Sequence, residues 1–347
     1  MASSRTSSPF VPEPSVAVLI PCHNEEASVG EVVTAFRKAL PTATVYVYDN
    51  NSTDATVALA AQAGAVIRRE RRQGKGYVVQ RMFADTDADV YVMVDGDGTY
   101  DAAAAPTMVN MLLTDGLDLV TGVRKPVSHD SEVYRRGHTL GNRLFNAIGR
   151  LLFGGAITDI FSGYRVMSRR FVKSFPLTSS GFEVETELTV HAVEIGAPCA
   201  ELETAYSPRK EESPSKLRTY RDGGRVLRIA LIFFKELYPL RFFGALFTAF
   251  AVAGLTLGIS VFADFLRTGL VLRFPSAILS AAMLTLAFIF LTCGFVVASV
   301  SRGRREARRL AYLAIPAWEV GSRLDVGLSS PVDGKEVRLH ATSQRPE

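Results

Sequence analysis

Short apolar runs alternate with amphipathic segments along the first hundred residues of the chain. Runs at Val16–Ile20, Val45–Tyr48 and Val90–Val94 predict strands, and the last is typical of a strand buried on both faces of a sheet. Apolar residues recur at helical spacing over Val29–Leu40, and a further helix is predicted over Tyr77–Ala84. Strands that alternate with helices in this way indicate an α/β fold, with a parallel sheet covered by helices on both faces.

The pattern changes in the last third of the chain, where two long segments contain no Asp, Glu, Lys or Arg. These segments are Phe242–Phe262 and Pro275–Val300, and each is long enough to cross a hydrocarbon layer of about 30 Å as a helix. We therefore expect two membrane spans rather than two buried core helices. Arginines cluster after the second span, at Arg302–Arg309, whereas the loop between the spans carries two arginines and one aspartate. The positive-inside rule then predicts an inner-membrane protein whose large domain and C-terminus are both cytoplasmic.

Composition divides the 347 residues into five parts. We expect a disordered N-terminus (1–14), an α/β domain (15–220), an amphipathic helix in the headgroup layer (221–241), two transmembrane helices (242–301) and a basic cytoplasmic tail (302–347). The net charge of +4 is small, and we expect no nucleic-acid partner. The three cysteines lie far apart and have no disulfide or zinc spacing.

The most informative polar residues follow the run Val90–Val94, where the chain reads Asp95-Gly96-Asp97-Gly98. Residues i and i+2 of an extended segment point to the same side, so both carboxylates would face one spot, and Gly96 lets a ligand approach the backbone. Paired carboxylates offer half of a site for Mg²⁺ or Mn²⁺, which leaves the other positions to water and phosphate oxygens. The alternative is a polar turn after a core strand, because Asp and Gly are common turn residues.

Polar clusters also follow the other predicted strands. His23-Asn24-Glu25 comes after the first strand, Asp49 and Asn51 end the second, and Lys75 lies between two glycines. Ligands of open parallel sheets bind beyond the carboxyl ends of the strands, so these residues and the two aspartates are expected to line one edge. Each cluster taken alone is equally typical of a helix cap or a turn.

Together, these motifs resemble those of a known enzyme family. The stretches Ile-Pro-Cys-His-Asn-Glu-Glu, Asp-Asn-Asn-Ser-Thr-Asp, Gly-Lys-Gly and Val-Asp-Gly-Asp-Gly resemble family 2 glycosyltransferases of GT-A fold. The polyprenyl-phosphate branch, with the dolichyl-phosphate mannose synthases and the bacterial bactoprenol glucosyltransferases, is the most similar. The resemblance covers roughly Val16–Gly224, and the C-terminal hairpin matches the bacterial enzymes. One departure is Gly98-Thr99, where mannose synthases usually carry Leu-Gln.

The resemblance implies a GT-A domain with a Rossmann-like, mostly parallel sheet, a nucleotide-sugar donor linked to UDP or GDP, and a polyprenyl-phosphate acceptor. It assigns the metal to Asp95 and Asp97. The residues expected to bind the donor are Pro21, Asn24, Glu25, Asp49, Asn51, Lys75 and Asp95. The residues expected to act in catalysis are Asp97, Arg124, Asp159, Arg165 and Lys216. The residues expected to hold the acceptor phosphate or the sugar are Arg135, Arg169, Glu183, Glu185, Ser215 and Arg218.

The acceptor determines which chemistry the site must supply. A phosphate monoester has a second pKa of about 6, so its oxygen is already a nucleophile near neutral pH and needs cations to hold it rather than a base. A lipid or glycan hydroxyl acceptor would instead require a carboxylate base, for which Glu183, Glu185 and Asp159 are the candidates. A third hypothesis is a non-catalytic membrane subunit that binds a nucleotide-sugar. The oligomeric state is left open.

Overall fold

A computed structural model of the protein describes residues 13–126, 158–176, 184–208, 234–235, 238–318 and 337–340. The chain forms two compact units. One unit comprises Met1–Lys216 together with Arg308–Glu347, and the other comprises Leu217–Ala307. The first 12 residues, and most of the interfacial helix expected at 221–241, lie outside the described residues.

The first unit is built on one eight-stranded sheet. In chain order the strands are β1 (Val16–Cys22), β2 (Thr44–Asp49), β3 (Val66–Arg69), β4 (Val90–Met93), β5 (Leu119–Pro126), β6 (Arg165–Ser168), β7 (Cys199–Tyr206) and β8 (Val337–His340). Their order across the sheet is β3-β2-β1-β4-β6-β5-β7-β8.

Among the described residues, six helices and one 3₁₀ turn cover the two faces of the sheet. They are α1 (Val29–Ala39), α2 (Thr56–Gln62), α3 (Lys75–Asp85), a 3₁₀ turn (Ala102–Ala104), α4 (Ala105–Thr114), α5 (Arg169–Ser174) and α6 (Val184–Ile195). Helices α1, α2 and α4 contribute to the core on one face, and α3, α5 and α6 contribute to the core on the other. Alternate residues of β1 enter the two cores, Val18 and Ile20 on one side and Ala17 and Leu19 on the other. The sheet is therefore buried on both faces, which explains its continuous apolar runs.

The strands β3, β2, β1 and β4 are parallel, as the alternation of strands and helices predicted. Beyond β4 the sheet becomes mixed, because β6 runs antiparallel to both of its neighbours, β4 and β5. Arg165 pairs with Met93 at the end of β4, and Ser168 pairs with Val90 at its start. The sheet is therefore mostly parallel, as the resemblance implied, and residues after the antiparallel strand β6 emerge at the edge where β4 begins. We call the edge where β1, β2 and β4 end the carboxyl edge, and the opposite one the amino edge.

The C-terminal tail belongs to the first unit. Strand β8 pairs antiparallel with β7, with Cys199 opposite His340 and Leu202 opposite Val337. Tyr312 is 6% exposed and donates a hydrogen bond of 2.5 Å to Asp118. Part of the tail expected over 302–347, from Arg308 onward, therefore clusters with the α/β domain.

The second unit contains most of two long helices, α7 (Pro239–Thr268) and α8 (Phe274–Leu313). Both expected spans fall inside these helices, and only 11% of each apolar window is buried. The helices approach closely where Ser280 donates to the carbonyl of Gly254 at 2.7 Å, because neither residue carries a bulky side chain. By length and composition, α7 and α8 are compatible with a two-span membrane anchor.

Candidate active site

Asp95 and Asp97 follow β4 at the carboxyl edge, in a segment held tightly by its neighbours. A Cβ on Gly96 would lie 2.5 Å from the Cys22 sulfur, so the backbone passes where a side chain would not fit. The carbonyl of Gly96 accepts a hydrogen bond of 2.7 Å from the Ser28 hydroxyl at the start of α1. The sequence therefore places a glycine between two aspartates for a steric reason, in addition to any role in ligand approach.

The two aspartates have different surroundings. Asp97 is 5% exposed, and its Oδ1 accepts hydrogen bonds from the amide and the hydroxyl of Thr99, at 3.2 and 2.7 Å. The Asp95 side chain is 26% exposed and lies against Gly163, where a Cβ would come within 2.3 Å of Oδ2. Within the described part of the chain, no cluster of three or more His, Cys, Asp or Glu side chains forms a complete metal site. Asp95 and Asp97 are thus two carboxylates on one short segment, of which Asp95 is the more exposed.

The predicted polar clusters do meet at this edge. Cys22, at the end of β1, pairs with Asp49 at the end of β2. Burial raises the pKa of the Cys22 thiol well above its usual value, and the nearby carboxylates of Glu25, Asp95, Asp49 and Asp97 raise it further. These four acids therefore lie within electrostatic reach of one thiol, as expected of residues that follow neighbouring parallel strands.

Asp49 is almost fully buried, at 1% exposed. Its Oδ1 accepts from the Ser52 amide at 3.0 Å, while Oδ2 lies 3.3 Å from Nε of Arg69 without hydrogen-bonding geometry. One carboxylate oxygen therefore shapes the turn after β2, and the other is buried beside the Arg69 guanidinium.

The other residues expected to bind the nucleotide-sugar lie in loops that hydrogen-bond to one another. Asn24 accepts from the Thr53 amide at 2.8 Å, and the Glu25 amide donates to Thr56 at 2.8 Å. Asn51 donates to the carbonyl of Arg71 at 2.9 Å. Asn24 and Asn51 adopt positive φ angles of 52° and 62°, which asparagine tolerates better than most residues. Pro21 lies within β1 and pairs with Tyr48. Asn24 and Asn51 therefore have the structural role of turn residues at this edge.

Lys75 is the first residue of α3 and lies beside Asp95. Its ammonium donates to Oδ1 of Asp95 at 2.5 Å and to Glu185 in the first turn of α6. Burial by itself lowers the pKa of Lys75, but the charges of Asp95 and Glu185 outweigh it and raise the pKa above its usual value. Lys75 is therefore a charged residue between two carboxylates.

Arg124 lies near the end of β5 and forms a bidentate ion pair with Asp159, with Nε and Nη2 at 2.8 and 2.7 Å from its two oxygens. Burial by itself lowers the pKa of Arg124, but Asp159 more than offsets this and raises it. Glu201 holds the loop before Asp159 by accepting from the amide and hydroxyl of Thr158. Asp159 thus holds the planar guanidinium of Arg124 in a fixed orientation at the carboxyl edge.

Tyr100 connects this ion pair to the aspartates. Its hydroxyl accepts from the Gly163 amide at 2.8 Å, next to Asp95. Burial raises the pKa of Tyr100; Asp95 raises it further, whereas the charge of Arg124 lowers it. Arg124 lies over the Tyr206 ring, which packs against the Tyr100 ring at 5.3 Å, so Tyr100 links the ion pair to the loop beside Asp95.

Two other arginines lie away from the accessible site. Arg165 is completely buried, and its guanidinium donates to the carbonyls of Ser162 and Ile160 and to the hydroxyl of Thr189. Burial lowers its pKa despite nearby carboxylates. In this structure Arg165 supports the loop before β6 and presents no guanidinium to a ligand, which corrects its expected contact with the acceptor.

Arg169 needs a second correction. It follows β6, and its amide donates to the carbonyl of Asp89 just before β4, so it lies at the amino edge. Its guanidinium pairs with the exposed Asp87 at 2.9 Å. The antiparallel direction of β6 is the physical reason, since a parallel strand would have ended at the opposite edge. The candidates Arg135, Glu183, Ser215, Lys216 and Arg218 lie outside the described residues.

Sequence reasoning missed the residues that hold the site together. Asn50 is buried, donates to the carbonyls of Glu70 and Arg72, and accepts from the amide of Gly74 just before Lys75. The only sequence signal for this role is an amide side chain at the end of a strand. Tyr100 and Glu201 gave no signal, because their partners are distant in sequence.

The fold and these paired carboxylates define a glycosyltransferase of GT-A type, and comparisons with known proteins agree. The model of the family described as glycosyl transferase family 2 matches residues 17–175. RfbJ of Shigella flexneri is 50% identical over 124 residues, which are 36% of this chain and 95% of RfbJ. The glycosyltransferase AglJ of Haloferax volcanii is 36% identical over 255 residues, 71% of this chain and 81% of AglJ.

Solved structures agree on the fold. The glucosyl-3-phosphoglycerate synthase of Mycobacterium tuberculosis superposes with a TM-score of 0.51 at 24% identity, covering 64% of this chain and 79% of that one. The family match over residues 17–175 and the 36% identity to AglJ show that the chain belongs to glycosyltransferase family 2.

Proposed function

We propose that the protein is a membrane-anchored, metal-dependent, inverting glycosyltransferase that moves a sugar from a nucleotide-sugar to a polyprenyl phosphate. The observation that carries this proposal is the state of the carboxylates. Asp159 is bound by Arg124 through both oxygens, and Glu185 by Lys75. A carboxylate paired with a cation is a weak general base, so the site suits a nucleophile that arrives already deprotonated.

The donor side of the proposal rests on the four acids around Cys22. Asp49 would accept hydrogen bonds from the base or ribose, with Asn24 and Glu25 nearby. Asp95 and Asp97 fit Mg²⁺ or Mn²⁺, because they are hard oxygen ligands two residues apart and Thr99 fixes the orientation of Asp97. A divalent ion bound there would offset charge on the departing diphosphate, an effect worth several kcal/mol in transition states.

The proposal extends to the nucleotide that carries the donor sugar. The synthase of Mycobacterium tuberculosis has been solved with Mn²⁺, UDP-glucose and phosphoglyceric acid. That protein shares the fold of this chain, so UDP-sugars are the first donors to test and GDP-sugars the second.

On the acceptor side, Arg124 is the cation best placed to receive a phosphate. Its side chain is 31% exposed, and a guanidinium can bind two phosphate oxygens at once. Asp159 orients this guanidinium before the acceptor arrives. The phosphate oxygen then attacks the anomeric carbon from the side opposite the diphosphate, which leaves with the bonding electron pair, and the sugar configuration inverts.

The membrane anchor is supported by the path of the chain. The chain leaves the first unit at Lys216 and rejoins it at Arg308, with α7 and most of α8 between. A polypeptide that starts and finishes in one folded unit must cross a bilayer an even number of times. Two crossings satisfy this condition. They would keep the site on the cytoplasmic side, because the flanking arginines favour the anionic leaflet there. Nucleotide-sugars are made on the same side of the membrane.

The deciding experiment compares two acceptors that differ only in the phosphate. Purified full-length protein in detergent is incubated with radiolabelled UDP- or GDP-sugars and with either undecaprenyl phosphate or undecaprenol, with and without Mg²⁺ or Mn²⁺. We expect labelled lipid only with the phosphate, only with metal, and with inverted anomeric configuration by NMR.

The same assay separates the alternatives. Transfer to undecaprenol or to phosphoglyceric acid would establish the alternative in which a hydroxyl is the acceptor. Phosphoglyceric acid is included because the Mycobacterium tuberculosis synthase has been solved with it. Donor binding without transfer to any acceptor would favour the non-catalytic subunit. An Arg169→Gln variant, altered at the amino edge, serves as the control and should transfer like the unaltered protein.

A further inference from the structure

The most unusual feature of the site is the position of the Lys75 ammonium. It lies between Asp95 on the segment after β4 and Glu185 on α6, two elements far apart in sequence. The side chains of Lys75 and Glu185 are only 12% and 7% exposed. The partner of Asp95 in this structure is therefore an internal cation, held in place by a second carboxylate.

This arrangement conflicts with metal binding at the same carboxylate. Oδ1 of Asp95 lies 2.5 Å from the ammonium, so a divalent ion on Asp95 would be close to a positive charge. Like charges a few ångströms apart in a partly buried site repel strongly. Either the ion stays away, or the ammonium moves off Asp95.

Lys75 has the means to move. Its side chain is a flexible four-carbon stem, and Gly74 and Gly76 flank it in the chain. Glu185 would keep the ammonium paired after it leaves Asp95. A nucleotide diphosphate would give the ammonium a further partner and add negative charge for the metal.

We propose that Lys75 is a positioning residue that keeps Asp95 paired until the donor arrives, so that metal and nucleotide diphosphate load together rather than the metal first. This inference depends on the proposed role of Asp95 and Asp97 in holding the metal. It adds that the cation affinity of the empty site is held low by the chain's own lysine.

The test measures Mn²⁺ binding directly, by the electron paramagnetic resonance signal of free Mn²⁺, with no acceptor present. The central variant is Lys75→Met combined with Glu185→Gln. This double variant removes one positive and one negative charge, so the net charge of the site is unchanged and Glu185 is not left as an unpaired buried carboxylate. We expect it to bind Mn²⁺ about tenfold more tightly than the unaltered protein when nucleotide is absent.

Three further measurements make the result specific. UDP should tighten Mn²⁺ binding less in the double variant than in the unaltered protein, because Asp95 no longer has to be vacated. Glu185→Gln alone should weaken Mn²⁺ binding, since Lys75 then pairs with Asp95 only. Lys38→Met, an exposed change on α1, should leave the affinity unaltered.

Equal or weaker Mn²⁺ binding by the double variant would overturn the inference and leave Lys75 as a structural ion pair. Failure of the proposed metal site has a different signature. In that case Mn²⁺ would not bind the unaltered protein even with UDP, and Asp97→Asn would change nothing.

Discussion

The two edges of the sheet both hold a charged cluster around buried acids, but the clusters are built differently. At the amino edge Asp118 is 1% exposed and accepts from Ser168 at 2.5 Å, from Nε and Nη2 of Arg170 at 2.6 Å each, and from Tyr312 at 2.5 Å. At the carboxyl edge Asp95 is partly exposed and shares its cation with Glu185. A carboxylate with all of its acceptor positions filled stabilises the fold, whereas one with an exchangeable partner can bind a ligand.

The largest expected effect distinguishes the edges by activity. Asp97→Asn should lower transfer by at least about a thousandfold, because it removes a charged metal ligand whose contribution is several kcal/mol. The asparagine oxygen can still accept from Thr99, so unfolding free energy should change by only about 1 kcal/mol. Radiolabel transfer and thermal unfolding of the same preparation check both parts. An active Asp97→Asn protein would refute the metal assignment.

The reverse pattern is expected at the amino edge. Asp118→Asn should lower the unfolding free energy by roughly 3 kcal/mol, because Arg170 and Tyr312 lose a charged acceptor. Transfer per folded molecule should not change. Chemical denaturation measures the stability, and Asp87→Asn is the matched control, since its pair with Arg169 is exposed and worth less than about 1 kcal/mol. Equal losses of unfolding free energy in Asp118→Asn and Asp87→Asn would mean that the burial of Asp118 does not make its ion pair more stabilising than the exposed one.

A third change addresses the acceptor. Arg124→Lys keeps the charge but cannot bind two oxygens in a plane, so kcat/KM for polyprenyl phosphate should fall by about 10- to 100-fold. The KM of the nucleotide-sugar should not change, and steady-state kinetics with each substrate varied in turn separate the two. Lys125→Gln, which breaks the exposed neighbouring pair with Glu203, should change either constant less than about twofold.

The smallest effect concerns His191, which lies on α6 and contacts Ser174 at the end of α5. Burial, followed by the nearby charge of Arg308, lowers the pKa of His191 to about 3 from an ordinary value of about 6.5. Between these values the unfolded chain binds the extra proton, so the folded state loses stability as pH falls below about 6.5. At pH 5.5 the loss from this residue should be about 1 kcal/mol.

The His191→Gln variant tests this assignment, because glutamine does not titrate in that range. The dependence of its unfolding free energy on pH should be flatter between pH 6.5 and 4 than that of the unaltered protein. Identical slopes would show that other groups cause the acid sensitivity.

The parallel half of the sheet could be predicted from sequence because each strand there is a continuous apolar run followed by a polar turn. Asp95, Asp97 and Asp49 were therefore expected at one edge, and in the structure they lie where the parallel strands β4 and β2 end. The two long apolar helices α7 and α8 could be predicted for a similar reason, because long segments without charged residues are easy to recognise in a sequence. These signals are local, and local patterns are what a sequence displays directly.

The mixed half could not be predicted, because strand direction depends on pairing between distant residues. Nothing within Arg165–Ser168 shows that this strand runs antiparallel, so the position of Arg169 at the amino edge could not be predicted. The ion pairs of Arg124 with Asp159 and of Lys75 with Glu185 join residues 35 and 110 positions apart. Their partners follow from the fold and not from any spacing.

The pairing of β8 with β7 also fixes an order of events during biosynthesis. The ribosome makes β7 before the two apolar helices and β8 after them, so the outermost strand joins the domain only once the whole hairpin has been translated. Tyr312, the partner of Asp118, is also made after most of α8. A nascent chain that stalls before this point carries every acid of the active site on a domain that still lacks its last strand.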